Sequence, residues 1–233
     1  MTEHGISWVD KNRRSAIIAG VVVVLVILAA VGGFALYSHR SDQASAALGE
    51  AMHTYQTPIA MPGQQVPPGM KTFTSVKERA QAANPQFIAV ADKYSMTKDG
   101  VVARYFAGLT YMEEGQNQPA EDSLKKVADS WNGDLSALGK LALAQLYRGT
   151  GREFQAVSLY QELAKGNANT VPPGMAQIQL AEMYESQGKV DEAKKIYAQL
   201  KDKDKDAKGK PGPIGALAAE KLNPQAAAGP GPQ

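Results

Sequence analysis

The amino-acid sequence predicts an all-α protein: a single N-terminal transmembrane helix followed by a solenoid of stacked helical hairpins. Three observations predict it. An uncharged apolar run extends from Ala16 to Tyr37. Three later stretches align so that Tyr111, Tyr147 and Tyr184 fall in one column, at steps of 36 and 37 residues. In each stretch a glycine stands four residues beyond the tyrosine, where a first helix has to stop.

The apolar run, AIIAGVVVVLVILAAVGGFALY, spans about 33 Å as a helix, enough to cross a bilayer core. Val and Ile are moderate helix formers in water, but in lipid an unpaired backbone is so costly that helix is the available answer. A cleaved signal peptide is the rival reading, with Ala44-Ser45-Ala46 as a faint cleavage site. The run is too long for that, and His39-Arg40 intervenes, so a retained anchor is expected. Ala16-x-x-x-Gly20 and Ala29-x-x-x-Gly33 admit close approach of a second helix, or are small residues scattered in a Val-rich anchor.

Flanking charge sets the expected orientation. Lys11, Arg13 and Arg14 precede the run; only Arg40 follows closely, and the next Lys is Lys71. The positive-inside rule puts residues 1–15 in the cytoplasm as a short tail and everything after Tyr37 outside. In a bacterium that is a single-pass protein of the inner (plasma) membrane with a periplasmic domain. Ile6, Trp8 and Val9 of the tail suit the membrane interface.

Composition narrows the function classes. Among 233 residues, 25 Lys+Arg face 23 Asp+Glu, which argues against a broad nucleic-acid surface. The absence of Cys removes disulfides, thiolate metal sites, a Cys nucleophile and a lipid anchor attached at Cys.

The repeats run over 105–127, 141–163 and 178–200. Apolar residues recur at helical spacing up to the Tyr column, as in Leu143, Leu146 and Tyr147. Gly115, Gly151 and Gly188 end those helices. Ala120, Ala156 and Ala193 mark a second helix at its closest crossing, with Leu124, Tyr160 and Tyr197 four residues on. One hairpin cannot bury its apolar face alone, so stacking is expected.

These offsets resemble the tetratricopeptide repeat (TPR). Gly108, Tyr111, Gly115, Ala120 and Leu124 match in the first repeat. Leu143, Ala144, Tyr147, Gly151, Ala156 and Tyr160 match in the second, and Leu180, Ala181, Tyr184, Gly188, Ala193 and Tyr197 in the third. Arg104, Lys140 and Gln177 stand where the family has an early Trp, and the steps exceed its usual length. Three TPR-like repeats are therefore expected over 101–203. Residues 38–100 are read as opening helices and a Pro/Gly-rich loop forming a degenerate repeat. There 41–56 is a helix leaving the membrane and a helical stretch runs from about Thr72 to Tyr94, restarting at Asn84-Pro85 with Asn as N-cap. Residues 204–222 are read as a polar connection and capping helix, and 223–233 as a disordered tail.

VPPGM occurs twice, at Val66–Met70 and Val171–Met175, each time before a helical stretch. Stepping back from 171 through the repeat falls four residues short of 66. The pentapeptide is punctuation: Pro-Pro stops the preceding helix and Gly frees the turn. A polyproline docking motif is the lesser alternative.

The sequence carries no recognisable catalytic, cofactor or metal motif, and a non-enzymatic protein is expected. His4, His39 and His53 lack metal-ligand spacing, and no nucleophile elbow, Walker or dinucleotide glycine pattern occurs. Asp202-x-Asp204-x-Asp206 begins like a calcium loop, but Ala207 replaces the turn glycine and Pro213 the bidentate Glu. A solvated charge run is the expectation.

The TPR resemblance implies a protein-binding groove on the first helix of each repeat. Its positions here are Val102, Tyr105, Leu109 and Met112; Leu138, Leu141, Gln145 and Arg148; and Met175, Ile178, Glu182 and Glu185. The set grades from apolar to mixed charge and lacks the Lys and Asn that clamp a carboxylate in chaperone-binding TPR proteins. At this spacing the same residues serve equally well as packing against the opening helices. An anchor followed by TPRs is also similar in layout to the ancillary Sec-translocon subunits. That resemblance implies a periplasmic scaffold or chaperone-like adaptor, with translocon components, secreted or envelope proteins, or periplasmic chaperones as partners. The alternative is an envelope-assembly or cell-division coordinator bridging inner-membrane and periplasmic partners.

Overall fold

A computed structural model describes residues 13–60, 63, 67, 69–206 and 208–223. Most of the expected cytoplasmic tail, residues 224–233, and Val66 and Pro68 of the first VPPGM lie outside the described residues. Among those described, nine helices and no strand are found; two isolated bridges, Ile59 with Phe73 and Lys205 with Pro211, close loops.

Helix α1 runs from Arg13 to Tyr55 without interruption, so the apolar run and the helix expected after it are one rod. The apolar half is a candidate membrane span, with a mean hydropathy of 3.0 and its side chains uncovered by protein. Where the rod leaves that half its composition changes: Ala44 and Ala51, seven residues apart, are fully buried against the next two helices.

Helix α2 (Val76–Lys93) starts where Ser75 accepts a hydrogen bond from the Glu78 amide at 3.1 Å, while the Glu78 carboxylate returns to the Thr74 amide at 2.7 Å. The expected restart at Asn84-Pro85 does not occur; Pro85 stands inside a continuous helix. Asn84 is buried rather than capping, and its amide donates to the Ala107 carbonyl at 3.1 Å and to Thr110 Oγ1 at 2.8 Å on the following helix. Buried Ala80, Ala83 and Phe87 on both sides of the proline hold the two halves together against the cost of the missing N–H.

Six helices then form three hairpins: α3 (Lys98–Glu114) with α4 (Asn117–Ala128), α5 (Gly133–Gly149) with α6 (Glu153–Lys165), and α7 (Pro173–Ser186) with α8 (Val190–Lys203). The same turn joins each pair. Gly115, Gly151 and Gly188 have φ of 80°, 73° and 74°. The amide after each glycine donates to the column tyrosine's carbonyl at 2.8 Å: Gln116 to Tyr111, Arg152 to Tyr147, Lys189 to Tyr184. Ala120, Ala156 and Ala193 are fully buried at the crossings, with Leu124, Tyr160 and Tyr197 beside them.

The second VPPGM is a helix start. Val171 is buried, Pro172 caps α7 and Pro173 is its first residue. Helix α9 (Pro213–Leu222) closes the stack on α7 and α8. The aspartate run before it is more than a solvated stretch. Asp204 accepts from the Gly215 amide at 2.7 Å, capping α9 from a distance, and Asp206 accepts from the Lys208 and Lys210 amides.

Candidate functional site

Of the first helices of the hairpins, α3 and α5 pack side by side and α7 meets α5 through Arg148 and Glu182; their stripes form the candidate groove. Val102, Tyr105, Leu109 and Met112 on α3 are half-buried, as are Leu138 and Leu141 on α5. Gln145 and Arg148 are exposed one and two turns further along, and Arg148 Nη1 stands 3.9 Å from Glu182 Oε2 on α7. Met175 and Glu185 are exposed and Glu182 is half-buried.

Ile178 departs from this set. It is 1 % exposed, in a core cluster with Ala181, Tyr197 and Ala218. The cause is α9, which takes the place a further first helix would occupy and covers this part of α7. Lys221 Nζ contacts Glu182 Oε1 at 2.6 Å and Ile214 packs near Gly174. At this end the helical stripe is core, whereas α3 and α5 keep a half-buried apolar surface.

On the α1 side the groove has a wall that the repeat pattern does not mark. Tyr55, in the last turn of α1, donates to Glu113 Oε1 at 2.6 Å, and Arg79 from α2 lies over its ring at 4.7 Å. Burial first, then the bond to Glu113, push the Tyr55 hydroxyl up to about 12, against the opposing pull of Arg79. Tyr55, Phe87 and Phe106 form an aromatic cluster with ring centroids 5.3–5.9 Å apart, and Tyr105 meets Phe106 edge-on at 5.5 Å. Burial also raises the Tyr105 hydroxyl. The signal available in the sequence was the Ala44, Ala51, Tyr55 spacing, which marks α1 as a packing helix.

Behind the groove, buried Glu121 on α4 accepts from Tyr147 at 3.0 Å, Arg152 at 2.6 Å and Lys125 at 2.7 Å. Burial pushes its carboxyl up, but the hydrogen bonds from Lys125, Arg152 and Tyr147 outweigh it and hold it at about 2. Among the described residues no three His, Asp or Glu side chains converge as metal ligands.

Hairpins with this turn, this alanine crossing and a groove of first-helix side chains define a protein-interaction solenoid. The chain belongs to the tetratricopeptide repeat-like domain family, whose model matches residues 7–160; a further tetratricopeptide repeat model matches 175–207. Two solved structures share the fold, both the nearly identical TPR-like repeats of a candidate kinesin light chain from Podosopora anserina. One, a point variant, has 19% identity over 79% of this chain and 84% of that one, with a TM-score of 0.55. For the other the figures are 17%, 78%, 84% and 0.53. No curated protein matches. TPR domains generally act as scaffolds for protein–protein contacts.

Proposed function

We propose that the protein is a membrane-tethered, non-enzymatic adaptor that holds extended apolar segments of other proteins in the groove of α3 and α5, on the extracytoplasmic side. The observation that carries this is the half-buried stripe Tyr105, Leu109, Met112, Leu138 and Leu141 on adjacent helices. Groove walls of Tyr, Leu and Met adapt to varied apolar ligands, Met through its unbranched thioether chain. The family match beginning at residue 7 supports treating the apolar helix and the repeats as one unit. Lys11, Arg13 and Arg14 before the span support the outward orientation in an inner membrane. Tethering confines encounters to the membrane surface and raises effective concentration without new contacts. The similarity of that layout to the ancillary Sec-translocon subunits supports a place beside the translocon, with emerging secreted chains as the segments held.

The test is photo-crosslinking in intact cells from probes at Tyr105 and Leu141, anchor retained, with a probe at buried Ile178 as the negative control. Adducts to translocon components or nascent secreted chains from the first two alone support the adaptor. Adducts to one defined envelope protein move the assignment to the assembly or cell-division coordinator. Equal silence at all three positions sinks the groove.

A further inference from the structure

We infer that one edge of the solenoid docks on the headgroup layer of the bilayer that holds α1, with Trp131 inserted in that layer. The inference rests on α1 being a retained anchor.

The geometry starts from α1, whose apolar half and packed half are one rod. Arg40 lies three residues past Tyr37, about 4.5 Å further along the axis, which is still within the headgroup layer. Its guanidinium donates to the Lys93 carbonyl at 3.2 Å, so the α2–α3 connection is held at that height. Tyr37, Arg40 and Tyr94–Thr97 line one small cleft there, and Met96 beside it is 80 % exposed. Helix α3 then runs parallel to α1: Ser45 bonds Asp99 at the membrane end, and Tyr55 bonds Glu113 at the far end.

Antiparallel hairpins bring every second connection back to the same edge. The α4–α5 connection carries Trp131, 71 % exposed, and the α6–α7 connection is tied to it through Asp134, which accepts from the Asn169 amide at 2.8 Å. Trp131 opens a cleft of about 740 Å³ between these connections. A large exposed indole and an exposed Met on one edge fit a lipid interface, where Trp is favoured.

Charge agrees with the same occupant. Several acidic groups on this edge are already engaged: Asp92 by Arg104, Asp99 by Ser45, Asp134 by backbone amides, and Glu162 by Lys140. Exposed Lys98, Lys126 and Lys165 have no ion-pair partner among the described residues, and exposed Asp42 and Asp129 remain as counter-charges. Free ammonium groups on the edge that carries Trp131 are complementary to anionic headgroups.

The chain holds two Trp, so full-length Trp8→Phe leaves Trp131 as the only indole reporter. It is reconstituted into phosphatidylcholine vesicles with and without a quarter of phosphatidylglycerol, and flotation after an alkaline wash reports anchoring separately. The expected result is a floating chain whose Trp131 emission shifts to shorter wavelength. It is quenched by lipids brominated near the headgroup more than by those brominated mid-chain, and it is shielded from iodide. Shielding is stronger with phosphatidylglycerol and falls in Lys98→Glu/Lys165→Glu. A floating chain whose Trp131 stays open to iodide overturns the docking and leaves the cleft to a protein partner. A chain that does not float removes the anchor, and the docking with it.

Discussion

The Tyr147 hydroxyl donates to the Glu121 carboxylate at 3.0 Å, tying the first helix of one hairpin to the second helix of the hairpin before it. Arg152, stacked over the Tyr147 ring at 4.2 Å, reaches the other oxygen of the same carboxylate. The bond therefore runs between repeats, where a solenoid's cooperativity resides. Replacing Glu121 by Ala leaves Tyr147 and Arg152 without their acceptor and costs about 1–3 kcal/mol. Thermal unfolding of the full chain in detergent reads this directly, and an unchanged Tm would show the network to be idle.

The same carboxylate makes a pH prediction. Its folded value is held at about 2, below the ordinary 4.5 of the unfolded chain. Its contribution is complete above 4.5 and disappears as pH falls through about 2, because the unfolded state takes up the proton first. Glu121→Gln should be less stable at neutral pH and lose less stability than the wild type over that window. Parallel acid-unfolding limbs for the two proteins would count against the assignment.

Two tyrosines should respond oppositely to losing their hydroxyls. Tyr160 is fully buried and, among the described residues, its oxygen makes no hydrogen bond of good geometry, the Arg148 guanidinium being close but not aligned. Tyr160→Phe therefore removes a poorly satisfied group and should be neutral or stabilising. Tyr147→Phe removes a bond to buried Glu121 and should cost about 1 kcal/mol. Differential scanning calorimetry of the pair decides the sign. Tyr160→Phe being the more damaging would reveal a partner that the packing hides.

The repeats were legible because their demands are local. A Gly four residues after Tyr satisfies a turn that needs positive φ, and small Ala satisfies a helix crossing, whatever lies elsewhere in the chain. Asn84-Pro85 has the local form of a helix start, yet the polar pocket made by Ala107 and Thr110 and the apolar residues flanking Pro85 overrode it. Ile178 fits the groove spacing, but whether that stripe is surface or core depends on α9, some forty residues downstream. Asp204 looked like solvated charge because its partner, the Gly215 amide, is presented only after α9 folds back. What the sequence concealed was long-range.

Helix contacts closer than a side chain allows give a sharp steric prediction. A Cβ at Gly139 would stand 2.6 Å from the Ala128 amide nitrogen and 2.9 Å from the Val127 carbonyl carbon, both backbone atoms. Gly139→Ala must push α5 away from α4 and should destabilise by about 1–3 kcal/mol. A Cβ at Gly149, in the last turn of the same helix, meets nothing within 4 Å, and Gly149→Ala should gain up to about 1 kcal/mol in helix propensity. Melting curves of the two variants should move in opposite directions; a shared direction would mean that α5 sits further from α4.

The cap offers the remaining prediction. Helix α9 lays half-buried Ile214, Leu217 and Leu222 on the cluster of Ile178, Ala181 and Tyr197, and its Lys221 pairs with Glu182. Ending the chain after Gly212 removes those three side chains, a loss on the order of 3 kcal/mol at about 1 kcal/mol for each half-buried residue. It also uncovers Ile178, converting the closed end of the stack into a surface like that of α3 and α5. The truncated chain should melt earlier and bind an apolar dye, and a probe at Ile178, silent in the intact protein, should begin to crosslink. If truncation leaves Ile178 silent while the protein stays folded, the burial of this residue belongs to α7 and α8 alone, and α9 is not the reason the groove ends there.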